Sequence, residues 1–156
     1  MGIKENLAEI KSELPKHVTL VAVSKTKPVE LIKEAYEAGQ RDFGENYAQE
    51  LAEKELQLPK DIKWHAIGHL QTNKVKYIAP FVYLIHAVDS LKLLEEINKQ
   101  AYKNNRKIDC LLQIYIAKEE TKFGFSIEEC EELFQSEEFK NLRHIRVVGL
   151  MGMASN

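Results

Sequence analysis

Two lysines at the end of an apolar segment are the residues of this sequence best placed for chemistry. Residues 18–23 are mostly apolar and β-branched, as in a strand buried on both faces, and Lys25 and Lys27 follow just before Pro28. Parallel α/β proteins bind ligands at the carboxyl ends of their strands, so Lys25 is better placed for chemistry than a lysine on a helix flank. Its amine is a candidate nucleophile for a Schiff base.

The neighbouring Lys27 offers a way to activate Lys25. An ordinary lysine has a pKa of about 10.4 and is protonated at neutral pH, so a nucleophilic amine must be desolvated or placed beside another cation. In extended chain, residues two apart point to the same side, and each of these lysines would then disfavour the charge of the other. On spacing alone, the alternative is that both lysines are solvated at a strand end.

The composition limits the class of protein. The chain has 156 residues, of which 44% are hydrophobic and 29% charged, as in an ordinary globular domain. It begins without the apolar core of a signal peptide, it has no apolar segment of membrane-spanning length, and it has two cysteines, so we expect a cytoplasmic protein without a membrane partner. Its 22 basic and 24 acidic residues are scattered, so we expect no nucleic-acid partner.

Strands and helices are predicted to alternate along the chain. Apolar segments predict strands at about residues 18–23, 41–44, 62–68, 82–86, 108–116 and 145–150. Helical periodicity predicts helices at about residues 2–14, 28–38, 45–56, 72–79, 91–104 and 126–135, the last with a capping box at Ser126 and Glu129. Such alternation predicts a parallel α/β sheet with right-handed crossovers.

Six strands admit two arrangements of this sheet. An open doubly wound sheet needs about six strands and a closed barrel needs eight, so the number of strands favours the open sheet. The sequence ends at Asn156, directly after the sixth strand and without a covering helix. That ending favours the front part of a longer barrel.

Five motifs connect this chain with a known family. They are Val23-Ser24-Lys25-Thr26-Lys27-Pro28, Phe43-Gly44-Glu45-Asn46-Tyr47, Trp64-His65-Ala66-Ile67-Gly68-His69-Leu70-Gln71-Thr72-Asn73-Lys74, His86-Ala87-Val88-Asp89-Ser90 and Gly149-Leu150-Met151. In this order and spacing they resemble the pyridoxal phosphate homeostasis protein family, whose members are similar to the barrel domain of alanine racemase. The resemblance implies a TIM-type (β/α) barrel with about six of its eight βα units present, in a single domain over residues 1–156 that ends before the barrel is complete.

The resemblance implies that pyridoxal 5'-phosphate (PLP), the cofactor form of vitamin B6, binds near the first two strands. Lys25 falls on the family's Schiff-base lysine, and Lys27 on a second lysine near the cofactor. Asn46 matches a polar residue beside the cofactor ring, where an amide can bond the ring oxygen or the lysine. From the residues alone, an N-cap of the next helix is an equal alternative for Asn46.

Further candidate cofactor contacts lie later in the chain. His65 and His69 have the spacing of two metal ligands on one helix, but Gly68 lies between them and the glutamate of a zinc protease is missing, so no metal is expected. The resemblance places His65 on the cofactor side instead. It also gives Lys122 the position of a mobile lysine involved in loading or releasing the cofactor, and it includes Met151 among the cofactor-binding residues.

Two classes of function follow. The first is a carrier that holds PLP as a Schiff base and takes part in intracellular PLP homeostasis and delivery to PLP-dependent apoenzymes, without turnover and as a monomer. The second is a fold-type-III PLP enzyme such as an amino-acid racemase. A racemase needs a second proton donor on the opposite face of the cofactor, in such enzymes a tyrosine from a separate β-domain. These 156 residues contain no such domain, so we favour the carrier.

The sequence departs from the family at its end. The resemblance implies a later Ser-Met-Gly-Met-Ser-type segment and an Arg-Ile-Gly segment, which supply most phosphate contacts and an arginine facing the pyridine nitrogen. Neither segment occurs in the sequence. The residues that bind the phosphate are therefore not identified.

Overall fold

The computed structural model describes residues 2–115 and 124–153, in which strands and helices alternate. The strands are β1 (Ala22–Val23), β2 (Asp42–Glu45), β3 (Lys63–Ala66), β4 (Leu84–Val88), β5 (Ile108–Gln113) and β6 (Ile145–Met151). The helices are α1 (Ile3–Glu13), α2 (Val29–Glu37), α3 (Ala48–Gln57), α4 (Val75–Ile78), α5 (Leu91–Lys103), α6 (Ile127–Gln135) and α7 (Glu137–Lys140), with a 3-10 turn at Thr72–Lys74 before α4. None of the helices in these two ranges is long and apolar enough to cross a membrane.

The strands form one parallel sheet in the order β1-β2-β3-β4-β5-β6. Each strand therefore pairs with the next along the chain, as in a (β/α) barrel, whereas an open doubly wound sheet reverses its order around an inner strand. The predicted barrel arrangement is confirmed. The open sheet, favoured by the number of strands, is wrong because that number does not determine the order of the strands.

The core lies between one face of the sheet and the helices. Phe43 and Trp64 are register partners on β2 and β3, and Ile85 and Cys110 are register partners on β4 and β5; all four are at most 2% exposed. They alternate with residues that point to the other face of the sheet. That face carries polar pairs, including Asp109 with Arg146 at 2.8 Å between Oδ1 and Nε.

Some predicted boundaries differ from the structure for identifiable reasons. β1 begins at Ala22 rather than at residue 18, and the Gln40 side chain donates hydrogen bonds to the carbonyls of Leu20 and Asp42 at 2.8 and 2.7 Å. A side chain thus satisfies the Leu20 carbonyl that a longer strand would pair with backbone. The capping box that opens α6 is confirmed, with Ser126 and Glu129 each bonded to the other's backbone N–H.

Candidate functional site

A cavity of about 570 Å³ lies at the carboxyl ends of the strands. Every strand, or the residues directly after it, contributes to its lining, which includes Lys25, Asn46, Gly68, Ala87, Gln113 and Met151. This is the end of a parallel barrel at which enzymes and binding proteins place their loops. The structure therefore brings together three of the predicted cofactor-binding residues, Lys25, Asn46 and Met151.

Lys25 occupies a tight turn after β1. The Lys27 N–H donates to the Ser24 carbonyl at 3.1 Å, and Thr26 has a φ of 61°, in the left-handed region that β-branched residues rarely adopt. The prediction that Lys25 and Lys27 point to the same side is wrong, because it assumed extended backbone and the chain turns here. Lys27 lines a separate groove with Leu7 and Leu31. Its contact with a cofactor stays a prediction.

Asn46 lies between β2 and α3. Its alternative role as an N-cap is wrong: α3 begins at Ala48, its N-cap is Tyr47, and no side chain caps it. Asn46 packs closely against Gly68, where an added Cβ would stand 3.0 Å from both Cβ and Cγ of Asn46. The small residue after β3 thus leaves room for the Asn46 amide, which can both donate and accept hydrogen bonds in the cavity.

His65 is buried on the face of the sheet that points away from the helices, with 3% of its surface exposed. Its Nε2 lies 2.9 Å from Asp42 Oδ2, and its Nδ1 lies 2.8 Å from His86 Nε2. Both ring nitrogens therefore have protein partners. The predicted contact of His65 with a cofactor stays a prediction.

His86 is the terminal member of this polar chain. Its burial, together with the charge of the neighbouring His65, lowers the pKa of His86 to about 4, so His86 is neutral at pH 7. One proton lies between His86 Nε2 and His65 Nδ1, and the other ring nitrogen of His65, Nε2, faces the Asp42 carboxylate. The Nε2 of His86 thus has a protein partner, and the residue extends the polar chain that begins at Asp42.

A buried ionic group beneath the Lys25 turn was not predicted from the sequence. We call it the Lys54 cluster; it consists of Ser24, Glu45, Glu50 and Lys54. The Lys54 Nζ donates to the Ser24 carbonyl at 2.7 Å, to Glu45 Oε2 at 2.9 Å and to Glu50 Oε2 at 2.7 Å. In the sequence, Glu50 and Lys54 look like an ordinary i, i+4 pair on a solvated helix, because lysines are seldom buried.

Glu50 connects this cluster to the turn itself. Its Oε2 also accepts a hydrogen bond from the Thr26 N–H at 2.8 Å. Burial acts to raise the pKa of Glu50, but the hydrogen bonds from Lys54 and Thr26 outweigh it and hold that pKa below its usual range. Glu50 is therefore ionised at neutral pH. Lys122, the remaining predicted site residue, lies outside the described residues.

Comparison with known proteins agrees with this architecture. The family model of the alanine racemase N-terminal domain matches residues 2–156. The chain is 45% identical to a pyridoxal phosphate homeostasis protein of Aquifex aeolicus, over 85% of this chain and 58% of that protein. It is 37% identical to a pyridoxal phosphate homeostasis protein of Pasteurella multocida, over 98% of this chain and 70% of that protein. The chain thus spans less than two thirds of the Aquifex aeolicus relative.

Solved structures share the fold. PipY of Synechococcus elongatus PCC7942, solved with PLP bound, has a TM-score of 0.88 and 36% identity, over 97% of this chain and 70% of that one. The alanine racemase of Clostridium difficile 630 has a TM-score of 0.79, over 99% of this chain and 41% of that one. At 18% identity, the similarity to the racemase shows a shared fold alone.

Proposed function

Because the chain belongs to the alanine racemase N-terminal domain family and, within it, to the pyridoxal phosphate homeostasis proteins, we propose that it binds PLP covalently and reversibly through Lys25. We propose further that it takes part in intracellular PLP homeostasis and delivery, without substrate turnover. The observation that carries this proposal is the position of Lys25, which lines a cavity that the ends of all the described strands form together.

The cavity suits the aldehyde and the ring of PLP. Its volume of about 570 Å³ falls within the range of about 300–1,000 Å³ of small-molecule sites. PLP supplies an aldehyde, which a neutral amine attacks with formation of a C–N bond and loss of the aldehyde oxygen as water. Lys25 would provide the amine, the amides of Asn46 and Gln113 would provide hydrogen-bonding groups for polar atoms of PLP, and Ile67 and Met151 would provide apolar surface.

The same lining supports a carrier rather than a racemase. Racemisation needs a proton donor and acceptor on each face of the cofactor. Among the described residues that line the cavity none is a tyrosine, the residue that racemases of this fold use opposite their lysine, although His69 is a second side chain there that can carry a proton. Delivery to PLP-dependent apoenzymes, a monomeric state and a cytoplasmic location belong to the same proposal. The similarity to pyridoxal phosphate homeostasis proteins supports the homeostatic role.

A turnover assay separates the two functions. The chain is incubated with PLP and L-alanine, and D-alanine is measured by chiral chromatography against a Lys25→Ala control. We expect no D-alanine above that control. Formation at about 1 per second, the low end of ordinary enzymes, would refute the carrier and support a racemase.

A further inference from the structure

Resting on the proposed function, we propose that the Lys54 cluster is a positioning device for Lys25, in which Glu50 and Lys54 fix the backbone on both sides of Lys25 and so direct its amine into the cavity. The cluster touches the residue before Lys25 and the residue after it. Neither Glu50 nor Lys54 is among the residues that line the cavity, so both act through Lys25 rather than on a ligand.

On the amino-terminal side, Ser24 has every polar group engaged. Its N–H donates to the Gly44 carbonyl at 2.9 Å, its hydroxyl donates to Glu45 Oε2, and its carbonyl accepts from Lys54 at 2.7 Å. Ser24 is 4% exposed, so water does not replace these contacts. These hydrogen bonds therefore fix the position of the Ser24 backbone, from which the turn begins.

On the carboxyl-terminal side, Thr26 is held in an unfavourable conformation. A φ of 61° is unfavourable for a β-branched residue and persists only where the surroundings enforce it. The hydrogen bond from the Thr26 N–H to the ionised Glu50, at 2.8 Å, is charge-assisted and therefore strong. The Thr26 hydroxyl also donates to the Lys25 carbonyl at 2.6 Å, which adds a further hydrogen bond within the turn.

Lys54 joins the two sides through a single buried ammonium. Its side chain is 7% exposed, and its three donors reach the end of β1, the end of β2 and the first turns of α3. Buried ion pairs add little net stability compared with apolar residues of the same volume, but removing one partner is costly. A charged group in this place is thus better explained by the geometry that it imposes than by stability.

The geometry of Lys25 matters because of the reaction we propose for it. An amine attacks a carbonyl only when the reacting atoms are about 3–3.5 Å apart and aligned, and a misplacement of 1 Å can cost about a hundredfold in rate. If the turn were more mobile, the Lys25 amine would keep its chemical reactivity but would point into the cavity for a smaller fraction of the time.

Variants at Glu50 test the proposal. Both the Thr26 N–H and Lys54 bond the same oxygen, Oε2, so Glu50→Gln can keep both hydrogen bonds through its amide oxygen, whereas Glu50→Ala loses them. Glu53→Ala, an exposed glutamate on the same helix, is the matched control. For each variant we would measure the rate of borohydride-trappable adduct formation on Lys25 with PLP, the hydrogen exchange of the Thr26 amide, and thermal unfolding.

We expect Glu50→Ala to slow adduct formation about tenfold and to accelerate exchange of the Thr26 amide, since a hydrogen bond to a charged group is lost. Glu53→Ala should remain within about twofold of the unaltered chain, and Glu50→Gln, whose amide oxygen keeps both hydrogen bonds without the charge, should have a rate between those of Glu53→Ala and Glu50→Ala. The rates of adduct formation are compared well below the unfolding temperature of every variant. If Glu50 had a purely structural role, its replacement would lower the melting temperature but leave this rate unchanged.

The outcomes separate this proposal from the function on which it rests. An unaltered chain that forms no adduct on Lys25 would refute the proposed function. An unaltered chain that forms the adduct, with an unchanged rate or unchanged Thr26 exchange in Glu50→Ala, would refute the positioning role alone. A rate in Glu50→Gln as low as that in Glu50→Ala would also refute it, because hydrogen bonding would then not be the cause.

Discussion

Lys25 and Asn46 occupy equivalent positions just after adjacent strands, each two residues beyond the register pair of Val23 and Gly44. Parallel pairing of β1 with β2 therefore brings an amine and an amide to the same cavity although they belong to different βα units. The relationship depends on register, since a slip of one residue would turn each side chain to the other face of the sheet.

The close packing of Asn46 on Gly68 predicts coupled effects on PLP affinity. Asn46→Ala should weaken binding by roughly 1 kcal/mol, about fivefold, through the loss of a hydrogen bond. Gly68→Ala should weaken it similarly, because the new Cβ would stand 3.0 Å from Cβ and Cγ of Asn46 and 3.1 Å from its Cα, and would displace that residue from its position in the cavity. The double variant should be no weaker than the weaker single variant, as measured by absorbance titration with PLP.

Gly149→Ala is the matched control for this pair. There the nearest atom to an added Cβ is the end of the flexible Leu111 side chain, at 3.2 Å, so PLP affinity should stay close to that of the unaltered chain. Fully additive losses in the Asn46 and Gly68 double variant would contradict a shared cause.

The polar chain of Asp42, His65 and His86 predicts how stability depends on pH. The pKa of His86 is lowered from 6.5 to about 4 in the folded protein, first by burial and then by the charge of His65. Between these values the unfolded chain binds more protons than the folded one, so the free energy of unfolding should fall as pH decreases from about 6.5 to about 4. Over this range of pH, the free energy of unfolding should fall by at most about 3 kcal/mol.

His86→Gln should reduce that dependence on pH, because glutamine does not titrate and its amide can still bond His65 Nδ1. Urea unfolding at several pH values measures it. His17→Gln, at an exposed histidine, should keep the full dependence of the unaltered chain. An equal slope in His86→Gln and the unaltered chain would show that another group causes it.

The two cysteines should be unreactive in the folded protein. Burial, followed by the charge of Asp109, raises the pKa of Cys110 to about 12, and burial also raises the pKa of Cys130. Thiolates are the reactive species, so a disulfide reagent at pH 8 should label two thiols in denaturant and none rapidly in the native state. Rapid native labelling of Cys110 would contradict its burial.

The sequence predicted the features that depend on local pattern. Alternating apolar segments indicated the order of strands and helices, and Ser126 with Glu129 indicated the start of α6. The position of Lys25 just after a buried strand indicated a functional lysine, and the structure places it in the cavity.

Features that depend on contacts distant in sequence were not predictable in this way. The sequence predicts that the side chains of Lys27 and Lys25 point to the same side, because no sequence pattern indicates the left-handed backbone of Thr26 between them. Lys54 was overlooked because its burial depends on Ser24 and Glu45, which other elements bring to it. The role of Asn46 as a possible N-cap was open until the first turn of α3 was located at Ala48.

Reduction with borohydride distinguishes Lys25 from the other lysines as the residue that we propose to bind PLP covalently. After incubation with PLP, we expect a visible absorbance band that borohydride abolishes, and peptide mass spectrometry should then locate one pyridoxyl adduct on Lys25. Lys25→Ala should lack the reducible band, whereas Lys27→Ala should keep both the band and the adduct. An adduct on Lys27 or Lys122 in the unaltered chain, or a reducible band that persists in Lys25→Ala, would contradict the account.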